Sequence, residues 1–280
     1  MDKKLKLLVC FKAVRELDTV LENDWLSARD TSFNIDYTKK IVACFDESAL
    51  ETALCMADSG KQMGIDIETT ALTISSDNVS GVFAGLLANL YAVGFSNVIH
   101  IKYDKDLSFN PRAIAQIITA FVKFSGGFDG ILMGYQANVG NHCQTAVLVS
   151  EYLKYPFLNM IYDIVMAKRQ IYITDKVNNG IRHAIAGFPA VLAFGNAKHS
   201  YLRIATLKEK LASSKKKPLE YSLTDLGVDA SIFIDIADSV VLSMYREKEK
   251  RICSFIHGKT AAEKAHILFE SQIGKAVELQ

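Results

Sequence analysis

GILMGYQANVGNHCQTAVLVSEYL, residues 130–153, contains an apolar run, a polar loop and a second largely apolar segment, in that order. The run from Gly130 to Gly134 is typical of a strand that is buried on both faces of a parallel sheet. The polar loop leads into a predicted helix over about His142 to Leu153. Because a strand, a loop and a helix form the repeating unit of α/β folds, this stretch predicts a parallel sheet covered by helices.

The same alternation fills the first 155 residues of the chain. LKLLVCF (Leu5 to Phe11), IETTALTIS (67–75) and NVIHIKY (97–103) predict strands, and helices are predicted between them. One helix follows Asp46, which we expect to be its N-cap residue, with Gly60 or Gly64 at its end. Another begins at Asn110-Pro111, since proline is favoured at the first helical position. The sequence therefore predicts an α/β fold with a three-layer, doubly wound, Rossmann-like parallel sheet.

The pattern changes after Pro156. Residues 159–180 predict a β-hairpin with a turn near Lys168-Arg169, and FPAVLAF (188–194) predicts one more buried strand. We predict a nucleotide-binding α/β domain over residues 1–228 and a C-terminal arm over residues 229–280, with a helix from about Thr260. The arm is too apolar for a free linker, so we expect it to pack on the domain or on another chain. Its apolar positions include Ile232, Phe233, Ile234, Val240, Val241 and Leu242.

Composition excludes several classes of protein. Of 280 residues, 50% are hydrophobic and 22% are charged, with a formal net charge of +1, so no global field attracts nucleic acid or an anionic membrane. The five cysteines are scattered and form no CxxC pair, which favours a reducing compartment. No apolar run approaches the roughly 18 residues of a membrane span. These features predict a cytoplasmic protein that neither inserts into a membrane nor binds nucleic acid.

Motifs of enzymes and metal sites are absent from the sequence. SGGFDG (125–130) resembles a pyrophosphate loop, but it follows a predicted helix and precedes a strand, which is the reverse of the required order. There is no GxGxxG after the first strand, no GxxxxGK[ST], no GxSxG and no HExxH. The six histidines show no ligand spacing. We therefore predict a protein without catalytic residues or a metal site.

Ligands of parallel sheets bind at the carboxyl ends of the strands. That rule selects the positions after Phe11, around Asp46, after Ile74 and after Met133. The loop after Met133 is GYQANVGNHCQT, where two glycines allow close backbone approach and uncharged side chains offer hydrogen bonds. It leads into a helix N-terminus, where backbone N–H groups can hold a phosphate. These features favour a nucleotide-binding loop, and the alternative is a polar loop that only caps the helix.

Six segments, in their order along the chain, resemble the β subunit of electron-transfer flavoproteins. Collinearity over residues 5 to about 229 makes this resemblance specific, although each match alone is weak. The segments are Val9-Cys10-Phe11-Lys12, ACFDESALETA (43–53), AVGFS (92–96), GYQANVGNHCQ (134–144), PAVLA (189–193) and RIATLKEKLASSKKK (203–217) with its following DLGV (225–228).

The resemblance implies an adenine-nucleotide α-hydrolase-like fold and a heterodimer with an α subunit whose FAD carries electrons from a dehydrogenase to an acceptor. It further implies that the present chain binds AMP, or a second FAD, and presents the loop NAKHSYLR (196–203) to the dehydrogenase through His199, Tyr201, Leu202 and Arg203. The implied nucleotide site consists of Cys10, Ala43, Cys44, Phe45, Asp46, Ile74, Ser75, Gly134, Tyr135, Gln136, Ala137, Asn138, Val139, Gly140, Asn141, Gln144 and Thr145.

Several positions depart from the family pattern. Val139, Gly140 and Asn141 occupy the acidic positions of the nucleotide loop, and Ala43-Cys44 replaces Asn-Pro at the helix start. The choice between AMP and FAD is thus open. The docking loop lacks the Asn-Glu-Pro of acyl-CoA dehydrogenase partners, so that type of dehydrogenase is one candidate among others. The alternative function is a stand-alone nucleotide-binding regulatory module similar to universal stress proteins.

Overall fold

A computed structural model describes residues 4–27, 35–104, 107, 109–137, 140–167, 170–177, 180–229, 242 and 253–274. The predicted turn at Lys168-Arg169 lies outside these residues, as do Ile232, Phe233, Ile234, Val240 and Val241. The chain divides into two compact units, residues 1–244 and residues 245–280. The boundary that we predict after residue 228 and the packing of the C-terminal arm stay predictions.

Eleven strands and seven α-helices occur in the described residues. The strands are β1 (Leu5–Cys10), β2 (Ala13–Arg15), β3 (Lys40–Val42), β4 (Ile67–Ser75), β5 (Asn97–Lys102), β6 (Gly130–Gly134), β7 (Phe157–Ala167), β8 (Gln170–Val177), β9 (Gly180–Gly187), β10 (Ala190–Phe194) and β11 (Leu219–Ser222). The helices are α1 (Glu22–Ser27), α2 (Cys44–Gln62), α3 (Gly81–Val93), α4 (Pro111–Phe124), α5 (Thr145–Leu153), α6 (Leu207–Ser213) and α7 (Ala261–Leu268).

Nine strands form one sheet in the order β11-β5-β4-β1-β6-β10-β7-β8-β9. The strands from β11 to β7 are parallel to their neighbours, and β7, β8 and β9 form an antiparallel extension. After β1 the chain builds β4 and β5 on one side and later adds β6 and β10 on the other. The order therefore reverses between β1 and β6, and in such sheets a ligand crevice opens at the carboxyl ends beside this point.

Helices cover both faces of the sheet, which confirms the predicted three-layer fold. Alternate side chains of β1 point to opposite faces, as the pleat requires. Leu7 packs in one hydrophobic cluster with Leu50 of α2, and Leu8 packs in the other with Phe121 of α4 and Val149 of α5. The near-continuous apolar sequence of β1 is thereby explained, because both of its faces are buried.

The predicted helix starts are correct where the cap residue bonds to the first turn of its own helix. Asn110 accepts a hydrogen bond from the Ala113 backbone N–H at 2.9 Å, and Pro111 is the first residue of α4, so the predicted start is confirmed. The prediction that Asp46 is an N-cap is wrong. The cap position of α2 is Ala43, and Asp46 lies in the first turn of the helix. Helix α5 begins three residues later than predicted because the preceding loop contains left-handed residues.

The second unit contains the helix predicted from about Thr260. The Thr260 side chain accepts a hydrogen bond from the Glu263 backbone N–H at 3.2 Å, so α7 has a regular N-cap. A π-helical turn over Phe269–Ile273 follows α7. Among the helices that the structure describes, none has both the length and the apolar character needed to cross a membrane.

Candidate functional site

A cleft of about 250 Å³ opens at the carboxyl ends of the strands beside the reversal point. It is lined from the ends of β1, β4 and β6, from the segment between β5 and α4, and from the loop between β6 and α5. The four positions selected from the sequence thus lie around one cavity. The lining residues that the sequence predicted are Cys10, Asp46, Ile74, Ser75, Gly134, Tyr135, Gln136, Ala137, Asn141, Gln144 and Thr145.

Other predicted residues do not line the cleft. Ala43, Cys44, Phe45 and Gly140 are absent from its described lining, and residues 138 and 139 (Asn138 and Val139) lie outside the described part of the chain. A fifth strand end, that of β5, also lies at the cleft, and the same rule could have selected it from the sequence. The lining residues outside the prediction are Phe11, Lys12, Ala13, Leu72, Ser76, Asp77, Tyr103, Leu107, Pro111, Ile114, Ile118 and Met133. His142 and Cys143 also line the cleft, and both belong to the predicted loop from Gly134 to Thr145.

The buried carboxylate of Asp46 joins the ends of β1 and β6. One oxygen accepts the Lys12 backbone N–H at 2.8 Å, and the other accepts the Gly134 backbone N–H at 2.7 Å. Gly134 must be glycine for this approach, since a Cβ there would lie 2.5 Å from Asp46 Oδ1 and 2.9 Å from its backbone nitrogen. Burial raises the pKa of Asp46 to about 6, although the two N–H groups act in the opposite direction. Asp46 therefore holds together the two strands between which the cleft opens.

The raised pKa of Asp46 predicts a specific pH dependence of stability. Between the ordinary pKa of 3.8 and about 6, the folded protein binds more protons at this site than the unfolded chain does. The contribution of Asp46 to the free energy of unfolding should therefore fall by about 3 kcal/mol as the pH rises from about 3 to 7, with about 2 kcal/mol of the change between pH 4 and pH 6. Urea denaturation across this range gives the free energy of unfolding of the natural protein and of Asp46→Asn at each pH. The difference between the two reports the contribution of Asp46, because all other titratable groups are shared. A difference that stays constant with pH would contradict the assignment.

The loop between β6 and α5 lines the cleft and contains residues with left-handed backbone conformations. Gly140, Asn141 and Cys143 have φ values of 92°, 48° and 56°, which only glycine adopts without strain. The N-cap residue of α5 is Gln144, and its side chain makes no capping hydrogen bond. The first N–H groups of an α-helix have no partner within the helix, and they carry a partial positive charge. This end of the cleft is therefore suited to an anionic group such as a phosphate.

His142 also indicates a missing polar partner. Its Nε2 atom is buried and has no hydrogen-bond partner among the described residues. The ring packs edge-on against Phe109, with 5.9 Å between the ring centroids. Since buried polar atoms of native proteins are almost always hydrogen-bonded, an unpaired one in the lining of a cleft fits a ligand that supplies the partner.

The charged residues of the cleft are balanced, and its floor is apolar. Asp77 forms an ion pair with Lys40, whose ammonium group lies 5.1 Å from the centre of the Phe83 ring. Lys12 is the only lysine or arginine among the described lining residues. In the described part of the chain, no group of three histidine, cysteine, aspartate or glutamate residues could hold a metal ion. The floor suits a flat aromatic ring and consists of Leu72, Ile74, Tyr103, Leu107, Ile114, Ile118 and Met133.

The predicted docking residues lie in different environments. His199 is exposed, and the Tyr201 side chain is 82% exposed, so both are accessible to a partner. Leu202 is half-buried and packs against the core. The guanidinium group of Arg203 is held by Glu51 at 2.8 Å and by Asp58 at 2.7 Å, both from α2. In the structure, Arg203 thus anchors the loop to the domain.

Exposed apolar side chains continue from this loop onto α6. Ile204 is 90% exposed, and Leu207 and Leu211 are 74% and 67% exposed. Together with Tyr201 they form what we call the apolar stripe. Ile204, Leu207 and Leu211 were not predicted as docking residues, although their spacing in RIATLKEKL indicates one face of a helix. A cluster of exposed apolar side chains marks an interaction surface more often than a single exposed apolar side chain does.

Two comparisons with known proteins agree with these features. Residues 33–221 match the family model described as "Electron transfer flavoprotein domain". The chain is also similar to "Putative electron transfer flavoprotein subunit YgcR" of Escherichia coli (strain K12), with 21% identity over 276 residues, 98% of this chain and 100% of that protein. The family match includes the end of β4, the loop between β6 and α5, and the segment from Asn196 to Arg203.

Proposed function

The chain belongs to the electron transfer flavoprotein family, and from this premise we propose that it is the β-type subunit of such a protein. Proteins of this family are electron carriers. In our proposal the cleft binds the adenylate moiety of AMP or of a second FAD. An FAD held by a partner α subunit supplies the redox chemistry. The present chain binds and orients, and it contributes no catalytic residue.

The observation that carries the proposal is the arrangement of the β6–α5 loop. It combines left-handed residues, an α5 N-terminus without a side-chain cap and the unpaired Nε2 of His142 on one wall of the cleft. A phosphate needs several donors that converge without competing acids. Asp46 and Asp77 line the same cleft, but backbone N–H groups and Lys40 compensate their charges. The α5 end is therefore the place for the phosphate in our proposal.

The size of the cleft favours AMP over FAD. Sites for drug-sized ligands usually enclose about 300–1,000 Å³, and the present cleft is slightly smaller than this range. A mononucleotide with its base on the apolar floor and its phosphate at α5 fits such a space better than a dinucleotide does. We therefore propose AMP as the ligand and retain a second FAD as the alternative that stoichiometry can decide.

The partners follow from the same proposal. We propose a cytoplasmic heterodimer with an electron-transfer flavoprotein α subunit, which accepts electrons from a dehydrogenase and passes them to a further acceptor. The dehydrogenase docks on the loop of residues 196–203 and on the apolar stripe. The arm of residues 229–280 packs on the domain or on the α subunit.

Stoichiometry tests the proposed function. The chain is co-expressed with an α subunit encoded beside it, the purified complex is denatured, and released FAD and AMP are counted. One FAD and one AMP per heterodimer is the expected result, and two FAD would assign the second FAD to the cleft. A homodimer that ignores the α subunit would instead favour the stand-alone regulatory module. Crystals grown with AMP and FAD in which protein side chains fill the cleft would overturn the proposal.

Substitutions in the apolar stripe test the docking surface. Tyr201→Ala and Ile204→Ala are each expected to slow reduction of the complex by its dehydrogenase about 10-fold, because a few well-packed residues supply most of the binding energy of an interface. Nucleotide content should be unchanged, since neither residue lines the cleft.

The matched control for these variants is Val82→Ala on α3, whose side chain is 60% exposed. Stopped-flow measurement of flavin reduction at several concentrations of complex separates docking from electron transfer. Equal rates for the control and both stripe variants would remove the docking assignment.

A further inference from the structure

His100 is a buried polar residue at the centre of three parallel strands. It lies on β5, directly opposite Thr73 of β4 on one side and Glu220 of β11 on the other. Its side chain is fully buried, and its ring meets the edge of Phe83, with 5.3 Å between the centroids. A histidine in this position needs an explanation, since its neighbours along β5, Ile99 and Ile101, are apolar and burial of a polar ring is costly without partners.

Each ring nitrogen of His100 faces a different polar group. Nε2 lies 3.1 Å from the Ser75 hydroxyl oxygen, whereas Nδ1, which has no hydrogen-bond partner among the described residues, lies 3.6 Å from a carboxylate oxygen of Glu220. Burial lowers the pKa of His100, while Glu220, Ser75 and Asp77 oppose this effect, so the ring is neutral at pH 7. A neutral ring has one N–H group, and a carboxylate that faces Nδ1 favours the proton on that nitrogen. Nε2 is then a hydrogen-bond acceptor.

The protonation of the ring determines whether the Ser75 hydroxyl group donates or accepts the hydrogen bond between them. The Ser75 hydroxyl must donate its hydrogen to Nε2, and its oxygen already accepts the Asp77 backbone N–H at 3.3 Å. A serine oxygen has two lone pairs, so one remains. Ser75 is a lining residue of the cleft at the end of β4, and this lone pair is the hydrogen-bonding capacity that its hydroxyl group has left for a bound molecule.

We infer that His100 is a positioning residue that fixes Ser75 as a hydrogen-bond acceptor, so that the β4 end of the cleft takes the amino group of adenine and rejects an oxygen at that position. The inference rests on the proposed binding of an adenylate. It also orients the nucleotide, because phosphate oxygens are acceptors and belong at the α5 end, where the first backbone N–H groups of the helix have no partner within the helix.

Comparison of AMP with inosine monophosphate tests the inference, since the second carries an oxygen in place of the amino group. Calorimetry on the full chain in its complex should show about 10- to 100-fold weaker binding of inosine monophosphate, as two acceptors would face each other. His100→Phe frees the Ser75 hydroxyl to donate, and the preference should fall below about 3-fold. His100→Gln retains an acceptor near the position of Nε2 and should retain most of the preference.

Two further measurements apply even if His100→Phe does not fold. Glu220→Ala, on an exposed edge strand, should reduce the preference because the carboxylate no longer favours the proton on Nδ1. Nitrogen-15 NMR of histidine-labelled protein should show His100 protonated on Nδ1 without any ligand. Protonation on Nε2, or equal affinity for the two nucleotides, would overturn the inference while the proposed function stands. If neither nucleotide binds, the proposed function and the inference both fail.

Discussion

Replacing Asp46 by alanine is expected to lower the free energy of unfolding by about 3–5 kcal/mol and to abolish nucleotide binding. The substitution leaves the backbone N–H groups of Lys12 and Gly134 without acceptors in a buried setting. Hydrogen bonds to charged groups contribute about 1.5–3 kcal/mol each, and an unsatisfied buried donor adds a desolvation cost. Because both N–H groups belong to strand ends beside the cleft, its walls should separate as stability falls.

The neighbouring acid provides the control for this variant. Glu47 lies in the same turn of α2, is half-buried, and its carboxylate does not line the cleft. Glu47→Ala removes the same charge from the same helix terminus and should cost less than about 1 kcal/mol. Urea denaturation measures both stabilities, and calorimetry with AMP measures binding. If the two variants lose equal stability, the charge at the helix terminus matters and the bridge between the strands does not.

Asp46 also shows what the sequence could not predict. Its position before a helical pattern indicated a cap, because capping is a local interaction that spacing alone can suggest. Its observed partner Gly134 is 88 residues away, and that contact depends on the order of strands in the sheet. By contrast, Asn110 and Pro111 interact within one turn of α4, and the sequence predicted that helix start correctly.

Lining residues at strand ends were predicted better than lining residues that other elements, such as α4, bring to the cleft. Cys10, Ser75 and Gly134 line the cleft because each ends a parallel strand, which an apolar run in the sequence reveals. Ile114 and Ile118 of α4 form part of the floor through the packing of a helix on the sheet, and their sequence pattern shows only a buried face. His100 interrupts the apolar run NVIHIKY, and that interruption was the available signal for its role.

Replacing Arg203 by alanine is expected to lower the free energy of unfolding by about 2–4 kcal/mol and to weaken docking of the proposed dehydrogenase partner. Arg203 donates to both carboxylate oxygens of Glu51, whose side chain is only 9% exposed, and to Asp58. Removal of one partner of a buried ion pair leaves the other charge unpaired, at a cost of about 3–5 kcal/mol. The expected value is smaller because solvent reaches about a third of the Arg203 side chain.

The docking effect distinguishes an anchor from a direct contact. Tyr201 and Ile204 flank Arg203, so release of its side chain should allow both members of the apolar stripe to move. Arg203→Lys keeps the charge but cannot reproduce the two-pronged contact with Glu51, and it should show an intermediate loss of both stability and docking. The control is Lys198→Ala in the same loop, whose exposed pair with Asp163 should contribute less than about 1 kcal/mol. If Arg203→Ala weakens docking while stability is unchanged, Arg203 contacts the partner directly and does not act as an anchor.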